Sequence, residues 1–167
     1  MANIQQKAEY IGFQILKISF SVLPRPVCLA IGSALGPMIH SLDRKHRKIA
    51  RANLNIAFGS QSSVEKQREI ARASFQHFGR VFAEIIKNRS MKREKIQRLI
   101  SVEGTEHLER ALQEGKGALI FSAHLGNWEM ATAWVSQVGK VNVVARPLDN
   151  SKIEDELLGI RKKLGAN

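Results

Sequence analysis

The sequence predicts an α/β protein, in which membrane-facing helices at the N-terminus are followed by a mainly parallel sheet with flanking helices. Residues 10–42 are the least polar part of the chain, and helical patterns follow them. From residue 99 onward, short apolar runs alternate with helical segments, which implies parallel pairing through right-handed crossovers. We therefore divide the chain into an apolar membrane-associated helical region at 1–42, a basic amphipathic helical region at 43–98, and the first part of an α/β core at 99–167.

The apolar region predicts two short helices, separated at Pro24-Arg25-Pro26. Neither piece has the ~18–20 uncharged residues that a membrane-spanning helix needs, and the first lacks the cleavage site of a secretory signal. We expect both helices to lie on a membrane or dip into it. The alternative is that they pack on the rest of the protein. Cys28, the only cysteine, lies in this region and is predicted to be packed as a small apolar side chain.

A basic segment follows at 43–51, and it contains five Lys and Arg residues. The first 100 residues hold 18 Lys and Arg against 6 Asp and Glu, whereas the rest of the chain is nearly neutral. Arg44, Arg47 and Arg51 share one helix face. Next to an apolar anchor, such a cluster indicates contact with an anionic membrane surface. The alternatives are a solvated face or nucleic acid. Nucleic acid is disfavoured because the cluster has no interleaved aromatic residues and the chain has no recognisable binding module.

Residues 62–88 are predicted to form a helix that begins with the capping box Ser62…Glu65. Its apolar stripe is expected to be core rather than a ligand site. The stripe consists of Phe75, Phe78, Phe82, Ile85 and Ile86.

Strands and helices are predicted to alternate in the last third of the chain. The expected strands are 99–102, 118–123 and 141–145, and the expected helices are 105–113, 128–138 and 151–164. In a parallel sheet, sites form at the carboxyl ends of strands. His124 and Arg146 follow two of these strands directly.

His124 and Glu129 are candidates for a catalytic dyad. They are five residues apart, so on one continuous helix they would lie roughly 140° apart and could not meet. Gly126 permits a turn and Asn127 is a good N-cap, which would leave His124 before the helix and Glu129 in its first turn. An ionised Glu129 could then hold one imidazole nitrogen and leave the other free as a base. The alternative is that both are only satisfied polar residues.

Other catalytic and binding motifs are missing from the sequence. Gly115-Lys116-Gly117 lacks the spacing of a phosphate loop, and no dinucleotide-binding glycine pattern occurs. Ser122 does not lie in a nucleophile elbow, and no His or Cys cluster has zinc spacing. The sequence therefore implies neither a metal nor an organic cofactor.

Several segments resemble the bacterial lipid A biosynthesis acyltransferases, a lauroyl/myristoyl, lysophospholipid acyltransferase-like family. The stretch Ser122-Ala123-His124-Leu125-Gly126-Asn127-Trp128-Glu129 is similar to their His-x-x-x-x-acid signature, which glycerolipid acyltransferases share. Three further segments resemble the family in the same order, namely Arg-Ala-Asn-Leu-Asn-Ile-Ala-Phe at 51–58, Val-Ala-Arg-Pro-Leu-Asp-Asn at 144–150 and Ile-Arg-Lys-Lys-Leu-Gly at 160–165. Gly59 stands where the family usually has Pro. Four segments in order make the resemblance strongly specific.

The resemblance implies acyl transfer from an acyl thioester, carried by an acyl carrier protein, to a hydroxyl of a lipid A precursor or similar glycolipid. It places the protein at the cytoplasmic face of a bacterial inner membrane, as a peripheral or monotopic protein. His124 would take the hydroxyl proton and Glu129 would orient His124. Gly126 and Asn127, at the start of the helix, would support the developing oxyanion or a phosphate. Arg146 would bind an anionic group of the acceptor or, equally, form an ion pair with Asp149.

Family members are nearly twice as long as this chain of 167 residues. We therefore expect a fragment or the product of a truncated gene. Two alternative functions follow, an acyltransferase that acts on a lysophospholipid or another polar lipid, and an inactive remnant that binds a membrane or nucleic acid.

Overall fold

A computed structural model describes residues 4–166, and this part of the chain folds into eight α-helices and a short 3₁₀ turn at Gly59–Gln61. The helices are α1 (Ile4–Val22), α2 (Arg25–Leu42), α3 (Arg44–Phe58), α4 (Val64–Ser90), α5 (Arg93–Gln97), α6 (Thr105–Gln113), α7 (Glu129–Val138) and α8 (Ser151–Leu164). They form two compact units, one of residues 22–87 and the other of residues 4–21 together with residues 88–166. The three regions expected from the sequence stay a prediction.

The central unit, residues 22–87, is held together by close packing of α2 against α4. Gly32 lies against the backbone of Gly79, and a Cβ added at Gly32 would lie only 2.6 Å from the Cβ of Ala83. A Cβ added at Gly36 would collide with the carbonyl oxygen of Phe75. Because these glycines have no side chains, the two helix backbones approach each other directly. The buried apolar side chains of this unit are Cys28, Leu29, Ala71, Val81, Ala83, Ile85 and Ile86.

The other unit is organised around α8. Ile160 and Leu164 of this helix are buried, as are Phe13 and Phe20 of α1 and Ile96 of α5. Glu156 of α8 accepts hydrogen bonds from Lys17 at 2.8 Å and from Gln14 at 3.1 Å. The Arg89 guanidinium lies 2.5 Å from its other oxygen. These contacts connect α8 with the first helix and with the C-terminal end of α4.

Glu156 shows how these cations stabilise a partly buried carboxylate. Burial alone would raise the pKa of Glu156, but hydrogen bonds from Lys17 and Gln14 and the charge of Arg89 hold the pKa below its ordinary value. A group with a lowered folded-state pKa stabilises the fold at neutral pH, and this stability is lost as the pH falls through that pKa.

The predicted parallel sheet is wrong for the described part of the chain. Residues 4–166 contain no β-strand, and their one isolated β-bridge is a parallel contact between Val141 and Ala166. Residues 118–123 are irregular, and Leu119 and Phe121 there are exposed. A strand needs a neighbouring strand to accept and donate its backbone hydrogen bonds. None of the three predicted strands has such a neighbour, so the expected sheet edge that would bring His124 and Arg146 together is absent too.

The first predicted strand, 99–102, was misplaced for a local reason. A short helix, α5, immediately precedes it, and the amides of Leu99 and Ile100 still donate to the carbonyls of Ile96 and Gln97, at 2.9 and 3.1 Å. These residues therefore continue the helical turn rather than extend.

Helices with strong local signals were predicted well. Those at 105–113 and 151–164 are confirmed to the residue, and the break at Pro24 is confirmed between α1 and α2. None of the described helices is both long and apolar enough to cross a bilayer.

Two features of the fourth helix differ from expectation. Its capping side chain is Ser63 rather than Ser62, because the Ser63 hydroxyl accepts from the Lys66 amide at 3.2 Å. Phe78 and Phe82 of the predicted core stripe are exposed, whereas Ile85 and Ile86 are buried. Periodicity identified an apolar face, but only the last turns of that face are covered.

We predict that Gly36→Ala destabilises the protein by about 1–3 kcal/mol, because the new methyl group would overlap the backbone of Phe75 and Gln76 and force α2 away from α4. The measurement is denaturant-induced unfolding followed by circular dichroism. Gly12→Ala is the matched control, since a Cβ there meets nothing within 4 Å. This control should gain roughly 0.5–1 kcal/mol from helix propensity. Equal effects of the two substitutions would contradict the close-packing interpretation.

Candidate active site

His124 lies in the irregular segment that precedes α7, and its side chain is exposed. The imidazole packs on the indole of Trp128, with ring centroids 4.5 Å apart and ring planes at 52°. This aromatic contact is what holds the ring beside the start of the helix. Phe121 and Leu125, on either side of His124 in sequence, are also exposed, at 89% and 85%. The candidate base is therefore accessible and has apolar neighbours along the chain.

Gly126 reverses the chain between His124 and α7. Its φ is +62°, in the left-handed region that favours glycine. The first residue of α7 is Glu129, and Trp128 occupies the cap position. A cap at Asn127 would make Trp128 the first helical residue, so the helix begins one residue later than predicted. The carbonyl of Asn127 accepts from the amide of Met130 at 3.1 Å in the turn that leads into the helix. The binding roles of Gly126 and Asn127 stay predictions.

Glu129 is buried at the start of α7 and is held by Arg161 of α8. The Arg161 Nε atom donates to both carboxylate oxygens, at 3.2 and 3.0 Å, and Nη2 donates to Oε1 at 2.7 Å. The two side chains are only 5% and 13% exposed. Hydrogen bonding to Glu129 raises the pKa of Arg161 above its ordinary value, and burial opposes this shift. The pair fixes the orientation of the carboxylate.

Within residues 4–166, no ion pair joins Glu129 to His124; the carboxylate faces Arg161 instead. Three hydrogen bonds from Arg161 leave the carboxylate with acceptor capacity, because an ionised carboxylate has about four lone-pair sites. The predicted dyad is therefore not assembled here, and it stays a prediction.

Arg146 lies on the surface, outside any helix. Its Nη2 atom is 3.4 Å from Oδ1 of Asp149, and both side chains are about nine-tenths exposed. An ion pair this exposed contributes little stability, so the guanidinium can exchange Asp149 for another anion. Its predicted role with the acceptor stays a prediction.

No group of three or more His, Cys, Asp or Glu side chains suited to a metal ion occurs among the described residues.

Sequence reasoning missed the role of Arg161. The one sequence signal for this role is the spacing of Arg161 and Gly165 within the segment 160–165. That segment resembles the family, but it does not by itself indicate a partner for Arg161. Gly165 has a φ of +103°, and a Cβ there would lie 2.5 Å from the Cβ of Ser136 in α7. The Ser136 hydroxyl donates to the carbonyl of Leu164 at 2.9 Å. Arg161 and Gly165 therefore attach α8 to opposite ends of α7.

We predict that Arg161→Ala destabilises the protein by about 3–5 kcal/mol, because it leaves the Glu129 carboxylate buried without its partner. Lys162→Ala is the matched control, since this neighbouring cation is exposed. Thermal and urea unfolding would measure both variants. The double variant Arg161→Ala/Glu129→Ala should lose less stability than the two single variants added together. Additive losses would show that the pair is not energetically coupled.

The profile of a family described as bacterial lipid A biosynthesis acyltransferase matches residues 4–167. A lipid A biosynthesis palmitoleoyltransferase of Escherichia coli (strain K12) is 25% identical over 79% of this chain and 43% of its own length. No solved structure matches the chain.

Mycobacterial proteins are also similar to the chain. A phosphatidylinositol mannoside acyltransferase of Mycobacterium tuberculosis (strain CDC 1551 / Oshkosh) is 32% identical over 56% of the chain, and one of Mycolicibacterium smegmatis is 30% identical over 58%. The chain spans less than half the length of these curated relatives. Because the family profile matches nearly every residue, the chain belongs to the bacterial lipid A biosynthesis acyltransferase family.

Proposed function

We propose that this protein transfers a fatty acyl chain from an acyl thioester to a hydroxyl group of a glycolipid, with acyl carrier protein as the donor. The observation that carries the proposal is the match of an acyltransferase family to a chain in which an exposed His124 stands five positions before a buried, fixed Glu129. The named relatives are a palmitoleoyltransferase of lipid A biosynthesis and acyltransferases of phosphatidylinositol mannoside, and lipid A and phosphatidylinositol mannoside are both glycolipids.

In the proposed reaction, the acceptor hydroxyl attacks the thioester carbonyl and gives its proton to the free nitrogen of His124. The tetrahedral intermediate then collapses, the carbon–sulfur bond breaks, and the thiolate leaves with the proton held by His124. The products are an ester and a thiol, and no covalent enzyme intermediate is formed. An exposed imidazole suits this role, since both substrates must reach it.

Glu129 is proposed to orient His124 and to stabilise the imidazolium as it forms. This requires the imidazole to turn from Trp128 towards the carboxylate when substrates bind. Hydrogen bonds of catalytic groups commonly tighten only in the substrate complex. The contact with Arg161 supports the proposal, because its hydrogen bonds hold the Glu129 carboxylate in place while His124 moves.

The start of α7 is proposed to bind the negative charge that develops on the carbonyl oxygen. The amides of Met130 and Ala131 already donate to the carbonyls of Asn127 and Trp128, each at 3.1 Å, so the attraction proposed here is that of the positive end of the helix dipole for an anion. Gly126 and Asn127 lead directly into this turn. Arg146 would bind an anionic group of the acceptor in place of Asp149. The exposed side chains of Phe121 and Leu125 offer an apolar surface to the acyl chain.

Membrane association is proposed from the exposed face of α1. Ile4, Ile11, Ile15 and Ile18 lie within one narrow stripe of the helix, and each is at least 59% exposed. Helix α1 has an apolar stripe but is not long and apolar enough to cross a bilayer. A helix of this kind suits a position in the plane of the lipid interface. We place the protein on the cytoplasmic face of a bacterial inner membrane, where its acceptor and an anionic surface would both be available.

We predict that His124→Ala lowers the acyl-transfer rate roughly 10²–10⁴-fold, because the general base is removed. The assay uses the protein as encoded by its natural gene, an acyl-loaded acyl carrier protein, and a lipid A precursor or a phosphatidylinositol mannoside, with products identified by mass spectrometry. His107→Ala is the control, since His107 is an exposed histidine of α6. Equal rates of the two variants would exclude His124 as the base. Acylation of only a lysophospholipid would change the acceptor, and no acylation of any lipid would favour a non-enzymatic membrane-binding protein.

We predict that replacing Ile11, Ile15 and Ile18 with Ser weakens binding to anionic vesicles by roughly tenfold or more, because apolar surface that enters the interface is lost. Vesicle sedimentation at fixed salt measures the effect. The control triple variant replaces three leucines with Ser in the same way. These are Leu99, Leu148 and Leu158, which are exposed but lie outside α1. A similar loss in both triple variants would show that α1 has no special part in membrane binding.

A further inference from the structure

A surface groove lies between α3 and α4 in the central unit, remote in sequence from the candidate active site. It encloses about 270 Å³. Its walls come from positions at helical spacing on the two helices, so that each helix presents one face to it. The lining residues are Arg51, Ala52, Asn55, Val64, Gln67 and Arg68.

The groove has a cation on each wall and no acidic lining residue. Arg51 belongs to α3 and Arg68 to α4, and both are exposed. Among the described residues, neither guanidinium takes part in an ion pair. Glu69, the acidic residue next to Arg68, is instead within 3.2 Å of Lys66. The donors of both arginines are therefore available to a ligand.

Gln67 holds the connection between α3 and α4 in place. This side chain is buried, and its amide nitrogen donates to the carbonyls of Gly59 and Ser62, at 3.3 and 3.4 Å. Gly59 has a φ of +49°, which lets the chain turn sharply at the end of α3. Because the turn is held in this way, the spacing of the two groove walls is set before any ligand arrives.

Further positive charge surrounds this part of the unit. His40 of α2 has a lowered pKa, chiefly because it is desolvated by burial, and also because Arg47, Arg51 and Arg72 repel its protonated form. The His40 and Phe75 rings make an edge-to-face contact, with centroids 5.1 Å apart. Arg51 therefore belongs to a group of cations in this unit that also includes Arg47 and Arg72.

We propose that the groove between α3 and α4 is a binding site for a phosphate group, with the Arg51 and Arg68 guanidinium groups as its principal donors and the Asn55 amide as a third. Guanidinium groups match phosphate oxygens with two parallel hydrogen bonds. A volume of about 270 Å³ lies just below the range of about 300–1,000 Å³ for drug-sized ligands, which suits a phosphorylated headgroup rather than a whole lipid. The source of the phosphate is either a phospholipid headgroup or a small phosphate ester in solution.

This site differs from a general attraction of the basic segment to anionic lipid. General attraction depends on the number of charges and is indifferent to whether Lys or Arg carries them. A built phosphate site depends on the planar, two-pronged geometry of arginine. The exchange of Arg for Lys therefore separates the two explanations at constant charge.

The test compares the full chain with Arg51→Lys/Arg68→Lys. Vesicles of digalactosyl diacylglycerol, which has no phosphate, are doped with phosphatidic acid or with oleate to the same surface charge. The unaltered protein should bind the phosphatidic acid vesicles more tightly, and the double variant should lose roughly tenfold of that affinity while its binding to oleate vesicles is unchanged. In a second arm, inorganic phosphate and glycerol 3-phosphate are titrated by calorimetry, with chloride as the reference anion.

The matched control is Arg44→Lys/Arg80→Lys, which changes one exposed arginine in each of the same two helices but none in the groove. It should keep the full preference for phosphatidic acid. Binding in both arms would identify the phosphate group itself as the ligand, and binding to vesicles alone would identify a lipid headgroup. The proposal is overturned if the groove variant and the control behave alike, or if the unaltered protein shows no preference for phosphate in either arm. Circular dichroism confirms that each variant is folded.

Discussion

The buried ion pair between Glu129 and Arg161 is the interaction on which the candidate active site depends. It joins the first residue of α7 to the last turn of α8, and both partners are nearly removed from solvent. Breaking such a pair leaves an uncompensated charge in the interior, so the carboxylate cannot move freely. His124, by contrast, is exposed and is held by an aromatic contact with Trp128. If the two form a dyad, the imidazole must therefore move to the carboxylate, and not the reverse.

The sequence features that specify a helix lie close together in the chain, whereas those that specify a sheet lie far apart. Helix α8 could be predicted to the residue because its signals are local, and Gly165, with a φ of +103°, follows its last residue directly. A strand is specified by an apolar run together with a partner elsewhere, and the partner cannot be read from the run. Residues 118–123 have the run without the partner, and they stay irregular. Likewise, periodicity found the face that contains Phe78, but only tertiary packing decides whether that face is covered.

The same distinction applies to the candidate site. The turn at Gly126 and the placement of Glu129 in the first turn of α7 follow from neighbouring residues, and the structure has both. The partner of Glu129 is 32 positions away along the chain. Spacing and the family resemblance predict a role for this carboxylate with His124, and that role is untested by the contact with Arg161. The contact with Arg161 could not be predicted in the same way, because a guanidinium that binds a carboxylate with two parallel hydrogen bonds can come from any distance along the chain.

The arginines of this chain divide by the partners they already have. Arg161 is largely buried and its Nε and Nη2 donors are used by Glu129, so its contribution is to fix a neighbouring group. Arg146 has a partner that solvent can replace at little cost, because the contact with Asp149 is exposed. Arg51 and Arg68 line a groove without an acidic residue in its walls. A guanidinium whose donors are not engaged within the fold is available for an external anion, and two such groups on opposite walls define where that anion would sit.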